Sequence, residues 1–101
     1  MRTVYVDGQF VPETEAKISI FDRSFLFADG VYEVTSVLDG KLIDFKGHMT
    51  RLQRSLSELK FEFKPDMDQL LEAHRELVKL NNITEGLIYL QVSRGSAGDR
   101  D

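Results

Sequence analysis

The sequence predicts an α+β fold in which two helices pack on one face of a mainly antiparallel sheet. Two Asp-Gly pairs, at positions 7–8 and 39–40, each separate two short runs of strand-forming residues, a pattern typical of β-hairpins. Two later stretches repeat their apolar residues at steps of three and four, which is the period of an amphipathic helix. A final apolar run over 86–93 is typical of a strand covered on at least one face.

The chain begins with the first predicted hairpin, formed by residues 3–6 and 9–11. Residues 12–15 break the strand pattern, and residues 16–20 form a short extended segment with apolar side chains at alternate positions. We expect residues 22–30 to form a loop, in which the glycine of Asp29-Gly30 can take a positive φ. The apolar, β-branched run that follows predicts a strand.

That strand belongs to the second predicted hairpin, in which residues 31–38 pair with residues 41–45. A partner so close in sequence fixes the register of the strand. Tyr32 and Val34 share one face, whereas Val31 and Glu33 share the other. Periodicity alone leaves open which of the two faces carries a site.

The first long helix is predicted from Lys46 to about Lys60. The apolar stripe that we expect to pack on the sheet consists of Phe45, Met49, Leu52, Leu56 and Leu59. His48 and Arg51 share a flank near the helix start, because they are three residues apart. A guanidinium beside free backbone N–H groups and the positive end of the helix dipole suits a phosphate. The structural alternative is a solvated surface arginine.

A second helix is predicted to begin after Asp66, where Asp66-x-x-Gln69 is similar to a capping box, and to end at Asn81-Asn82. Its predicted buried stripe consists of Met67, Leu70, Leu71, His74, Leu77 and Val78. We expect His74 to be a hydrogen-bonded histidine of the core or its boundary, and we assign it no chemical role.

Composition excludes several classes of function. The 101 residues carry a formal net charge of −4, which argues against a nucleic-acid surface. The chain has no cysteine, which excludes disulfides and thiolate metal sites, and its two histidines make a multi-histidine metal site unexpected. Its apolar runs are far shorter than the roughly 20 residues of a membrane span. We therefore expect a soluble, cytoplasmic protein consisting of one domain or part of one.

Three segments carry a resemblance to a known family. Residues 22–34, DRSFLFADGVYEV, closely resemble the signature of the fold-type IV (class IV) pyridoxal-phosphate aminotransferases, and in particular of their D-amino-acid aminotransferase branch. Residues 47–52, GHMTRL, are similar to the family's His-x-x-Arg-Leu motif. Residues 86–95, GLIYLQVSRG, resemble the strand that leads to its substrate-binding loop. The segments occur in the family's order and extend over nearly the whole chain.

The resemblance implies pyridoxal 5'-phosphate as the cofactor, with Arg51 contacting its phosphate and Tyr32 helping to hold the substrate carboxylate. The family's loop adds an arginine, but residues 94–101, RGSAGDRD, depart from the usual Arg-Gly-x-x-Pro-Arg-x-His. The family arginine falls on Asp99 without a gap and on Arg100 with a one-residue insertion. We prefer Arg100, because a carboxylate is held by a cation. The family's histidine is missing.

The activity that the resemblance implies is transfer of the amino group of a D-amino acid, such as D-alanine, to a 2-oxo acid. In the family, the Schiff-base lysine lies downstream in a larger domain, and no lysine here matches its motif. We therefore expect residues 1–101 to be the small N-terminal domain, truncated before the lysine-bearing domain, with no catalytic residue of its own and no activity alone. Family members are typically homodimers.

Other functions remain open at this point. Within the same fold, a branched-chain L-amino-acid aminotransferase and an aminodeoxychorismate lyase are the near alternatives. From another class, a non-catalytic binding module is the alternative, because Gly95-x-x-Gly98 is weakly similar to the backbone-clamping loop of KH domains. That loop belongs between helices in a basic environment, whereas Gly95 follows a strand in an acidic chain.

Overall fold

The computed structural model describes residues 1–95 and confirms the α+β class, with antiparallel pairing between all paired strands. Asp99 and Arg100, the two candidates for the family arginine, lie outside the described residues. The elements, in chain order, are β1 (Thr3–Val6), β2 (Gln9–Pro12), a 3-10 turn (Glu13–Glu15), α1 (Arg23–Phe27), β3 (Gly30–Leu38), β4 (Lys41–Leu42), α2 (Phe45–Glu58), α3 (Met67–Leu80) and β5 (Glu85–Ser93).

The strands form two sheets, whereas the sequence predicted one. β1 pairs with β2 alone, and the second sheet has the order β4-β3-β5, with β3 paired to β5 from Gly30↔Ser93 to Leu38↔Glu85. The first hairpin is held instead at the end of α3, where the Asn81 side chain accepts from Thr3 N–H at 2.8 Å and donates to Thr3 O at 2.9 Å. Those side-chain hydrogen bonds replace the backbone pairing that a single sheet would need.

Both Asp-Gly turns are confirmed. Asp7 and Gly8 have φ of 49° and 84°, and Asp39 and Gly40 have φ of 54° and 71°. Positive φ at both central residues is the backbone of a type I′ hairpin turn, whose twist matches that of the flanking strands.

The segment before β3 differs from the predicted loop. Asp22 accepts a hydrogen bond from Ser24 N–H and so caps the one-turn helix α1, which ends at Ala28 with φ of 54°. The positive φ therefore falls on Ala28, not on Gly30. Gly30 instead allows β3 to approach β5 and α1 closely, because a Cβ there would lie 2.9 Å from the carbonyl oxygen of Val92 and 2.8 Å from Ser24 Oγ.

α2 packs on β3 and forms the core, close to its predicted bounds. Met49, Leu52 and Leu56 are buried as predicted, and they cluster with Phe61 and Val92. Phe45 packs against this cluster, but Leu59 is 49% exposed because it lies just after the last helical turn.

α3 begins where predicted, since the Asp66 side chain accepts from the backbone N–H groups of Asp68 and Gln69. The helix packs against β1 and β4, while Met67 and Leu70 reach the core cluster. His74 is buried, with Nδ1 2.7 Å from Leu70 O, as expected of a hydrogen-bonded core histidine. None of the helices in residues 1–95 is long and apolar enough to cross a membrane.

Candidate cofactor and substrate site

β3 directs alternate side chains into two different environments. Glu33, Thr35 and Val37 are buried beneath α2, whereas Tyr32 is 64% exposed on the opposite face. Alternation along the strand therefore separates Tyr32, a residue of the predicted site, from its neighbour Glu33. We call the exposed side of the β4-β3-β5 sheet, which carries Tyr32 and Tyr89, the open face.

On the buried side, Glu33 holds Arg51 by two hydrogen bonds. Arg51 donates from Nε to Oε2 and from Nη2 to Oε1, each at 2.8 Å. His48 Nδ1 lies 2.9 Å from Oε1, and an ionised carboxylate can only accept, so Nδ1 carries the hydrogen in this contact. The helical spacing of three places His48 and Arg51 over the same carboxylate, as their shared flank predicted.

The three side chains form one electrostatic unit. Hydrogen bonding from Arg51 holds the pKa of Glu33 below its usual range, against the opposing effect of burial, and His48 acts in the same direction. Glu33 in turn raises the pKa of Arg51, with smaller contributions from Asp44 and Tyr32. Glu33 is thus an anion although it is only 4% exposed.

Arg51 keeps part of its binding capacity. A guanidinium has five N–H donors, and Nη1 has no partner among residues 1–95, while the side chain is 64% exposed. This fits an anion such as the phosphate of pyridoxal phosphate, because Glu33 orients the guanidinium and leaves its outer nitrogen available. Arg51 lies in the second turn of α2, beyond the free backbone N–H groups of the first turn, and Asp44 is the N-cap residue. The contacts that orient the guanidinium therefore come from Glu33.

On the open face, Tyr32 stacks on Tyr89 of the neighbouring strand. Their ring centroids are 5.7 Å apart, with an angle of 13° between the planes. The Tyr89 hydroxyl donates to Gln91 Oε1 at 2.9 Å, and Gln91 Nε2 donates to Ser24 Oγ of α1. An ordered aromatic pair with a polar border can hold a small molecule that has both apolar and polar parts.

The structure brings the predicted residues together only in part. Arg51 contacts Glu33 on the buried side of β3, whereas Tyr32 lies on the open face. Glu33, which the sequence left without a role, is the residue that joins α2 to the strand. The signal for it was present in the sequence, because a carboxylate shares a strand face with Val31, Thr35 and Val37 and must find a partner there.

Comparisons with known proteins identify the family of the chain. The model of the family described as amino-transferase class IV matches residues 30–101. The D-alanine aminotransferase of Staphylococcus haemolyticus is 41% identical over 97 residues, which cover 96% of this chain and 34% of that protein. The chain therefore spans about a third of the length of this curated relative.

Solved structures share the fold. The branched-chain amino acid aminotransferase from Escherichia coli aligns with a TM-score of 0.88 at 24% identity, over 98% of this chain and 35% of that one. Another branched-chain amino acid aminotransferase, complexed with N-(5'-phosphopyridoxyl)-L-glutamate, aligns with a TM-score of 0.87 at 24% identity, over 96% of this chain and 34% of that one. At these identities the likeness supports the fold and not the choice of substrate.

Proposed function

The chain belongs to the amino-transferase class IV family, and we propose that it is the N-terminal part of a pyridoxal-phosphate-dependent transaminase. Its substrates in this proposal are a D-amino acid such as D-alanine, as the amino donor, and a 2-oxo acid, as the acceptor. The observation that carries the proposal is the 41% identity to a D-alanine aminotransferase over 96% of the chain. The two branched-chain aminotransferase structures described above are each 24% identical to this chain.

In this proposal Arg51 binds the phosphate of the cofactor through its outer nitrogen. Glu33 keeps the guanidinium in place, because its carboxylate accepts from both Nε and Nη2. His48 shares the same carboxylate and limits the freedom of that oxygen. When bound, pyridoxal phosphate supplies the aldehyde that takes up the amino group and a ring that serves as an electron sink.

Tyr32 offers its phenol on the open face as a hydrogen-bond donor to the substrate carboxylate. The parallel stack on Tyr89 supports this role, because it restricts the ring to one orientation. Arg100 is proposed as the cationic partner for the same carboxylate, and it lies outside the described residues.

The remaining parts of the proposal concern the whole protein. The reacting lysine lies outside these 101 residues, so the chain alone has no transaminase activity. The working enzyme is a homodimer in the cytoplasm, without a membrane or nucleic-acid partner. The open face and α1 carry exposed apolar side chains. In this proposal a further domain or a second subunit covers them in the whole protein.

The test is an absorbance spectrum of the full-length protein that carries this chain, recorded with pyridoxal phosphate before and after D-alanine is added. We expect the band of the bound cofactor to give way to that of pyridoxamine phosphate with D-alanine and to persist with L-leucine. Arg51→Ala should weaken cofactor binding, whereas Tyr32→Phe should raise the KM for D-alanine and leave cofactor binding unchanged.

Three outcomes would change the assignment. Conversion with L-leucine alone would move the protein to the branched-chain enzymes. Product formation that needs no 2-oxo acid would indicate a lyase. A protein that binds no pyridoxal phosphate would overturn the proposal and favour the alternative of a non-catalytic binding module. Membership of the family does not favour that alternative.

A further inference from the structure

Two of the three segments that carry the family resemblance meet at Asp29, which has no role in the proposed chemistry. Asp29 lies between α1 and β3, in the first segment, and Arg94 follows the end of β5, in the third. The β3–β5 ladder ends at the pair Gly30↔Ser93, so Asp29 and Arg94 are the next residues beyond it.

The Asp29 carboxylate accepts from two arginines. Arg23 Nε donates to Oδ2 at 2.8 Å, and Arg94 Nε lies 2.9 Å from Oδ2 and 3.0 Å from Oδ1. Hydrogen bonding from Arg23, followed by hydrogen bonding from Arg94, holds the pKa of Asp29 below its usual range. We call Arg23, Asp29 and Arg94 the Asp29 cluster.

Arg94 extends the cluster to the end of α2. Its Nη2 donates to Leu59 O at 2.9 Å, and its guanidinium lies 4.1 Å from the ring centroid of Phe61. Phe61 belongs to the buried core, so the stacked guanidinium is fixed to a rigid surface. A lysine could supply the charge here but not the planar stack together with the two directed hydrogen bonds.

Backbone hydrogen bonds also connect the residues of the Asp29 cluster and Gly95. Arg94 N–H donates to Asp29 O at 3.2 Å, and Arg23 N–H donates to Gly95 O at 2.7 Å. The chain therefore leaves β5 through a junction bound to α1, β3 and the end of α2. Tyr32 lies three residues from this junction on β3, opposite Gln91 of β5.

We propose that the Asp29 cluster is a positioning device for substrate binding, which fixes where and in which direction the chain leaves β5 relative to Tyr32. This inference rests on the proposed function, in which Arg100, five residues after Gly95, binds the substrate carboxylate together with Tyr32. The cluster touches neither substrate nor cofactor. It acts by keeping the base of the following segment in one place, in the enzyme's own site or in that of a second subunit.

The test uses the full-length holoenzyme with Asp29→Asn, Arg94→Lys and Arg94→Gln. Glu58→Gln is the matched control, because it removes a carboxylate from an exposed pair with Arg54 on α2. We expect Asp29→Asn and Arg94→Gln to raise the KM for both D-alanine and the 2-oxo acid about tenfold, since small displacements of a binding group are costly. We expect kcat to change less than twofold, and Arg94→Lys to recover part of the loss.

Two further measurements separate positioning from general destabilisation. Cofactor affinity should stay unchanged in all variants, since Arg51 is held by Glu33 and not by the cluster. Hydrogen exchange of a peptide from 94–101 should become faster in Asp29→Asn, while exchange in α3 should not change. If Asp29→Asn is too unstable to purify, Arg94→Lys tests the same contacts with the charge retained.

Wild-type KM values in Asp29→Asn and Arg94→Gln would overturn the inference. It would also be overturned if, in each variant of the cluster, cofactor affinity fell by the same factor as the KM rose. Failure of the proposed function gives a different result, because the wild-type protein would then not convert D-alanine. In that case faster exchange after residue 93 would still support a positioning role in a site of another kind, and unchanged exchange would contradict it.

Discussion

Glu33 is the residue on which the orientation of Arg51 depends. Its buried carboxylate makes two charge-assisted hydrogen bonds to Arg51, and bonds of this kind are roughly twice as strong as neutral ones. We expect Glu33→Gln to weaken pyridoxal-phosphate binding by the full-length protein about tenfold, because an amide offers one acceptor where the carboxylate offers two. Equilibrium dialysis or fluorescence titration measures the change.

The control for this prediction is again Glu58→Gln, whose carboxylate is exposed and should leave cofactor affinity within a factor of about two. Cofactor affinity that is the same in Glu33→Gln as in wild type would show that Arg51 needs no carboxylate to orient it.

His74 should make stability depend on pH. Burial lowers its pKa below the ordinary value of 6.5, and Nε2 is buried without a partner among residues 1–95. Below pH 6.5, His74 is protonated in the unfolded chain but resists protonation in the folded chain. The free energy of unfolding therefore falls as the pH drops. We expect the thermal midpoint to fall from pH 7 to pH 5, and His74→Leu to reduce this fall.

The comparison must allow for His48, which lies near enough to lower the pKa of His74 further. A variant His48→Gln separates the two histidines. If His74→Leu showed the same pH dependence as wild type, His74 would not be the group responsible.

At the scale of elements, local signals predicted what local geometry decides. The Asp-Gly pairs predicted both hairpins, and the helical period predicted both long helices, with the Asp66 cap marking the start of the second. Each of these signals depends on neighbouring residues alone. α1 was missed, since five residues are too few to show a helical period and its side chains are mostly apolar. The separation of the two sheets depends on Asn81 contacting Thr3, 78 residues away, and no local pattern records such a contact.

The two glycines that open β3 and precede β4 should tolerate alanine differently. At Gly40, φ is +71° and the nearest atom to an added Cβ would be 3.9 Å away. Gly40→Ala therefore introduces backbone strain but no clash, and we expect it to lower the free energy of unfolding by about 1 kcal/mol. At Gly30 the added Cβ would meet the carbonyl oxygen of Val92 at 2.9 Å, and β3, β5 and α1 must move apart, at a cost of about 2 to 3 kcal/mol.

Thermal melts of the two variants, side by side with wild type, measure this order. The prediction is wrong if Gly40→Ala lowers the midpoint more than Gly30→Ala does. Activity gives a second readout, because the shift forced by Gly30→Ala lies two residues from Tyr32 and should also raise the KM for the amino donor.

At the scale of the whole molecule, the chain is flat, with extents of 44 × 31 × 19 Å. α2 covers one side of the larger sheet, and the open face carries large side chains without cover, such as Leu87 at 68% exposure. Phe25 on α1 is also 68% exposed. Apolar surface of this kind is typical of an interaction region. It is the surface expected if, as proposed, the chain is part of a larger enzyme.

We expect the 101-residue chain by itself to self-associate and to bind an apolar dye, because this surface is exposed to water. The variant Phe25→Gln/Leu87→Gln should reduce both effects without lowering the thermal midpoint, since neither side chain belongs to the core. Sedimentation velocity and dye fluorescence measure the two effects. A wild-type chain that stays monomeric and binds no dye would contradict the prediction.

The alternation of Tyr32 and Glu33 along β3 also bears on how such an enzyme can be altered. Substitutions at even-numbered positions of the strand reach the open face, and those at odd-numbered positions from 33 to 37 reach the packed side. Under the proposed function, we expect substitutions at the even positions to change the preference for the amino donor while the anchoring of the cofactor by Arg51 is left intact. A single-residue deletion within the strand would do the opposite, because it exchanges the two sets and disables both tasks at once.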